Sequence, residues 1–235
     1  MNDMVNRRED AAFLTKWYGY LFWLIIPTIF GNIMTHETAV ELFPVLQKPG
    51  QVISVITNLI WALILLKLKD HSDKLAFAGW GMIGLAIFGF LDSLLLSHSG
   101  IAVVSGLAAI VIALVVEYHE LCGHSDLLSS YDAVLSDKWK NLWKWEIRAY
   151  GALLATVLVA VLIPMLGLLL VLVSAVALGV IAILKWVYIY QTKNFFQEYE
   201  INEKYRDIPS LVDRLEDVEE IAGSGEEGNR HEGCN

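Results

Sequence analysis

The chain has 235 residues, 56% of them apolar and 18% charged, with a formal net charge of −9 at pH 7. A water-soluble domain of this length interleaves charge with apolar residues at period 2 or 3.6, whereas here charge concentrates in 1–16, 67–74, 117–148 and 185–235. That pattern excludes a soluble globular domain. The lack of ten-residue alternating segments excludes a transmembrane β-barrel, and no basic patch points to nucleic acid.

The expected fold is all-α: a polytopic integral membrane protein with six transmembrane helices in three hairpins, plus a cytoplasmic interfacial helix. Residues 1–13 form a cytoplasmic N-terminal tail ahead of a six-helix domain over 14–190. Arg7 and Arg8 precede an apolar run as in a signal peptide, but no small-residue cleavage site follows, so the run is expected to stay as an uncleaved span. This first span, ~14–35, opens on Trp17, Tyr18, Tyr20 and Trp23, aromatic residues suited to a membrane interface, and Pro27 should kink it.

A connection holding Pro44, Pro49 and Gly50, with a short amphipathic turn at 38–46, leads to the second span, ~52–68. The charged turn Lys67–Lys74 separates it from the third, ~75–97, and Ser97–Gly100 separates the third from the fourth, ~101–118. Gly123 is expected to end the fourth span, and Ser125 or Asp126 to cap an interfacial helix over ~125–148. On that helix Leu128, Tyr131, Leu135, Trp139, Leu142 and Trp145 recur at steps of three and four, making one apolar face for the leaflet or for the protein itself.

Residues 149–184 then run for 36 positions without a charged side chain. One helix of that length would extend roughly 54 Å against a hydrocarbon core of ~30 Å. Pro164-Met-Leu-Gly167 is the only helix-breaking cluster in it, so the spacing predicts two spans, ~149–163 and ~166–190, serving as scaffold. An acidic cytoplasmic tail, 191–235, follows with twelve acids against five basic residues. Pro209 should start a short helix with Leu211, Leu215 and Val218 on one side, and the tail is expected to be disordered after ~222.

Six spans place both termini on one side, and 16 of the 17 lysines and arginines then share that side. By the positive-inside rule it is the cytosol, in a cell (inner) membrane. Cys122 and Cys234 then both lie in the cytosol, where no disulfide is expected.

Four residues form the candidate polar site within the membrane: Asp92, Asn32, Asn58 and His98. An intramembrane acid is costly and often marks an ion or proton path, which makes Asp92 a candidate cation or proton ligand. The competing reading is interhelical hydrogen bonding, worth ~0.6 kcal/mol on average. Glu117 to His124 gathers His119, Cys122 and His124, zinc-type ligands, but at a spacing that fits no established motif. No metal or cofactor is therefore expected, and the segment reads as the aqueous exit of the fourth span. Gly79-Trp-Gly-Met-Ile-Gly84 matches G-x-G-x-x-G without a strand before it, so its glycines are expected to serve close helix packing.

No nucleophile elbow, P-loop, H-E-x-x-H or paired intramembrane aspartates occur, and no catalytic residue is assigned. The expected function is a non-enzymatic anchoring or regulatory module acting through its cytosolic helix and acidic tail. Its partners would be the lipid bilayer, and a cytosolic protein or a second copy of itself. The alternative is a small transporter or channel component using the Asp92 site, and an intramembrane enzyme stands third.

Overall fold

The apolar stretches fold as helices, and every regular element among the described residues is helical. The computed structural model describes residues 2–95 and 101–206. Its α-helices are α1 (Asn2–Thr35), α2 (Glu37–Leu42), α3 (Gln47–Lys67), α4 (Asp73–Leu95), α5 (Ile101–Ser129), α6 (Ala133–Leu162) and α7 (Pro164–Arg206). Among the described residues, three helical stretches are long and apolar enough to cross a membrane: Arg8–Thr35, Pro44–Lys67 and Pro164–Asn202. Their surfaces fit lipid rather than water, since Trp23, Phe30, Leu63, Leu168, Leu172 and Val176 are each more than half exposed. The short helix expected after Pro209, the rest of the tail beyond 206 and the Ser97–Gly100 turn lie outside the described residues.

The 36-residue neutral stretch breaks where its proline stands. A proline disfavours the helical conformation in the residue before it, and Ile163 leaves the helical region (φ −136°, ψ 86°). Pro164 then opens α7 at a first-turn position, where its missing N–H costs nothing. The two helices run antiparallel from this single-residue break. Trp139 Nε1 on α6 donates to Thr192 Oγ1 on α7 at 3.2 Å, and Lys138 donates to Gln191 Oε1 at 3.1 Å.

The interfacial helix expected over ~125–148 is not one element. α5 continues through Gly123 to Ser129, and α6 starts at Ala133 and runs on into the fifth apolar stretch. Gly123 sits mid-helix with no positive φ, and Leu75 of α4 packs against it; a Cβ there would stand 2.7 Å from the Leu75 side chain. The break falls instead at Asp132, whose carboxylate accepts from the Val134 and Leu135 N–H groups at 2.8 and 3.0 Å and so caps α6. The predicted apolar stripe is turned inward: Leu128, Leu135, Trp139 and Leu142 are buried, while Trp145 is exposed. Ser125 and Ser136 close the α5–α6 hairpin, each hydroxyl bonding the other residue's carbonyl at 2.8–2.9 Å.

Within residues 14–194, which form one unit, α4 packs between α3 and α5, and α5 in turn packs on α6. Gly79 and Gly81 lie at these crossings. A Cβ on Gly79 would meet Leu66 Cγ at 2.8 Å and the Ala62 carbonyl at 2.9 Å, and one on Gly81 would collide with Val116. The glycines of the G-x-G-x-x-G match thus do serve helix packing, except Gly84, around which nothing lies within 4 Å. α1 reaches α7 through Phe22, stacked on Trp186 at 5.5 Å, and approaches α3 where Gly31 faces Ser54. The described residues of 1–13 and 195–206 belong to a second unit, in which Phe195 meets Phe196 edge-on at 5.3 Å.

Candidate functional site

On a helix, steps of three and four residues return to the same face. Glu117, Glu120 and His124 are so spaced on α5, and that face is turned into the bundle. Glu120 and His124 have no exposed surface, which corrects the reading of this segment as an aqueous exit.

Around these three side chains four other helices converge. Lys185 of α7 donates to Glu117 Oε1 at 2.5 Å and lies 3.0 Å from Glu120 Oε1. Trp61 of α3 donates its indole N–H to Glu120 Oε1 at 3.1 Å, and the Lys185 ammonium stands 5.7 Å from the centre of the Trp61 ring. Tyr18 of α1 shares a 2.7 Å hydrogen bond with His124 Nδ1. Trp139 of α6 packs on the other side of the imidazole, with ring centres 4.6 Å apart. Glu146, also of α6, completes the group and is only 8% exposed.

The electrostatics follow from one cation facing three carboxyl groups. Burial, then the neighbouring Glu117 charge, pushes the Glu146 carboxyl up to about 7, with Lys185 opposing. Burial, then the Lys185 charge, holds His124 down at about 3, so its imidazole is neutral at physiological pH. When Tyr18 donates to Nδ1, the ring proton sits on Nε2. That atom faces Glu120 Oε1 at 3.9 Å, too long for a hydrogen bond. Among the described residues, Nε2 of His124 and Oε2 of Glu120 are both buried without a hydrogen-bond partner. A buried polar atom left unpaired costs ~1–3 kcal/mol. Chemically, the arrangement can exchange a proton on Glu146 near neutral pH while leaving the Lys185 bridges in place.

Two of the four predicted site residues meet in a cavity of about 390 Å³ beside this network. Asn32 and Asn58 line it together with Thr28, Trp61, Lys185 and Trp186. The charged wall of the cavity is therefore a lysine already bridged to two carboxylates. The predicted acid, Asp92, is on the α4 backbone, but its side chain lies outside the described residues, as does His98. His119 turns away from His124, stacking on Phe77 at 4.1 Å, and burial pushes the half-buried Cys122 thiol up.

The network thus draws Lys185 from the stretch expected to serve as scaffold and Glu146 from the expected interfacial helix. Sequence reasoning passed over Lys185 as the end of an apolar stretch, and Glu146 as part of a surface helix. One signal pointed to Lys185: a lone cation closing 36 uncharged positions needs a counter-ion, and the Glu117/Glu120 face offered two. No protein-family model, no curated protein and no solved structure matches the chain.

Proposed function

We propose that the chain is a non-enzymatic, six-span module of the cell membrane, with both termini in the cytosol, that acts on a cytosolic protein partner. The observation that carries this reading is the Lys185–Glu117–Glu120 bridge. It ties α7 to α5, with α1, α3 and α6 closing around it, beside the segments that hold most of the basic residues. A buried ionic network of this kind adds little net stability but fixes one arrangement of the helices it joins, here those that lead into the α5–α6 turn and the acidic tail. In-membrane crosslinking followed by purification of the full chain tests it. A specific protein recovered with the wild type should be lost with Lys185→Met and with deletion of 207–235. Equal recovery from all three chains would refute the reading.

A second reading, a small transporter or channel component, is favoured by the cavity in which Asn32 and Asn58 meet Lys185. Solute flux into proteoliposomes that falls with Asn58→Leu would support it. Flux unchanged by both Asn58→Leu and Asp92→Asn would remove it.

A further inference from the structure

Between α6 and α7 lies a cleft of about 420 Å³, separate from the network and its cavity. Its walls are Ala149 on α6 and Ala177, Val180, Ile181 and Leu184 on α7, with Trp145 and Arg148 at one end. Apart from Arg148, every lining side chain is apolar or aromatic, so the cleft offers nothing to a polar solute. Along α7 the lining runs from Ala177 to Leu184, roughly 10 Å at ~1.5 Å per residue.

The mouth has the opposite character. Arg148 is exposed, with its guanidinium 5.5 Å from the centre of the Trp145 ring, and no carboxylate among the described residues pairs with it. Lys144, one turn earlier on α6 and also exposed, hydrogen-bonds among the described residues only to Asn141 Oδ1 at 3.1 Å. Residues at i and i+4 are neighbours on a helix surface, so the two cations present paired donors at one point. Arginine suits phosphate oxygens because its planar fork binds two at once.

We propose that this cleft holds one anionic glycerophospholipid, with its phosphate on Arg148 and Lys144 and an acyl chain along Ala149, Ala177 and Ile181. Charge complementarity selects the occupant. A neutral lipid would fill the cleft but leave two unpaired cations at its mouth, and a soluble phosphate would leave the apolar walls open. The inference rests on α6 and α7 lying in a membrane and not on any role of the Lys185 network.

Native mass spectrometry of the full chain in detergent tests the assignment, by titration with phosphatidylglycerol or diacylglycerol of the same acyl chains, or with glycerol phosphate. At ~1 kcal/mol per basic residue near a membrane surface, the wild type should bind phosphatidylglycerol roughly thirtyfold more tightly than diacylglycerol, and glycerol phosphate not measurably. Arg148→Gln with Lys144→Gln should abolish that preference while leaving diacylglycerol affinity unchanged. Both replaced side chains are exposed, and that unchanged affinity also reports an intact cleft. Ala177→Trp, at an exposed position, should weaken both lipids. No preference in the wild type, a preference retained by the double variant, or glycerol phosphate binding as tightly as the lipid would each overturn the proposal.

Discussion

Lys185 and Glu117 are 68 positions apart in sequence, yet the ammonium and the carboxylate meet at 2.5 Å. The same Lys185 reaches Glu120, so one cation holds two acids on a single face of α5. Replacing it leaves two carboxylates facing each other in a poorly hydrated interior. Breaking a fully buried pair costs ~3–5 kcal/mol, and here Lys185 and Glu117 keep 20% and 27% of their side-chain surface. Lys185→Met should therefore destabilise the protein by about 2–3 kcal/mol. The triple variant Lys185→Met, Glu117→Gln, Glu120→Gln should recover most of that loss, as removing a whole buried network commonly does. Thermal unfolding in detergent checks both; a triple variant no more stable than the single one would contradict this account of the bridge.

The pH dependence contains two opposing slopes. Glu146 binds its proton more tightly in the fold, up to about 7 against an ordinary 4.5. The folded state thus carries the extra proton between those values, and stability from this group falls as pH rises through that window. His124 binds its proton less tightly, about 3 against an ordinary 6.5. There the unfolded state carries the extra proton, so stability rises with pH from 3 to 6.5. Between pH 4.5 and 6.5 the two offset each other, with Lys185, Glu117, Glu120 and Tyr18 as the charged and titratable groups around them. Glu146→Gln should expose the rising limb over that range and raise stability above pH 7. Unfolding midpoints across pH 4–8 measure it, and a variant with the wild-type profile would show that Glu146 does not titrate there.

Gly79 and Gly84 belong to one sequence pattern but to different environments. Adding a side chain at Gly79 forces Leu66 and the Ala62 backbone aside, and such overpacking costs ~1–3 kcal/mol. Gly84→Ala meets nothing within 4 Å and should be neutral or stabilising by ~0.5–1 kcal/mol through helix propensity. Comparing unfolding of Gly79→Ala and Gly84→Ala checks the contrast.

Asp132 stands at the one break between α5 and α6, where its carboxylate holds two N–H groups. Asp132→Ala should cost ~1 kcal/mol, as for other helix caps, and Asp132→Asn much less. Amide exchange at Val134 and Leu135 should quicken in the alanine variant alone.

Features enforced by local sterics were legible in the sequence. Pro164 fixes its own helix boundary and biases Ile163, so the split of the neutral stretch followed from residue types. The packing role of Gly79 and Gly81 followed from glycines placed within a helix. The α5–α6 boundary was misplaced because a glycine ends a helix only where it takes the left-handed conformation, and Gly123 keeps helical dihedrals. The site was harder still. Spacing put Glu117, Glu120 and His124 on one face of α5, but nothing local to residue 185 says which acids it will meet. Asn32 and Asn58, two of the four candidate residues, line one cavity, while its charged wall came from the stretch taken for scaffold.

The account depends most on the α6–α7 hairpin crossing the membrane, with the Lys185 network at its cytosolic end. Single cysteines in place of Ser130, in the α5–α6 turn, and Met165, beside the hairpin break, report the two ends in a chain carrying Cys122→Ser and Cys234→Ser. With a membrane-impermeant thiol reagent, the cysteine at 165 should label in intact cells and the one at 130 only in inside-out vesicles. Labelling of both positions from the same side would contradict the account.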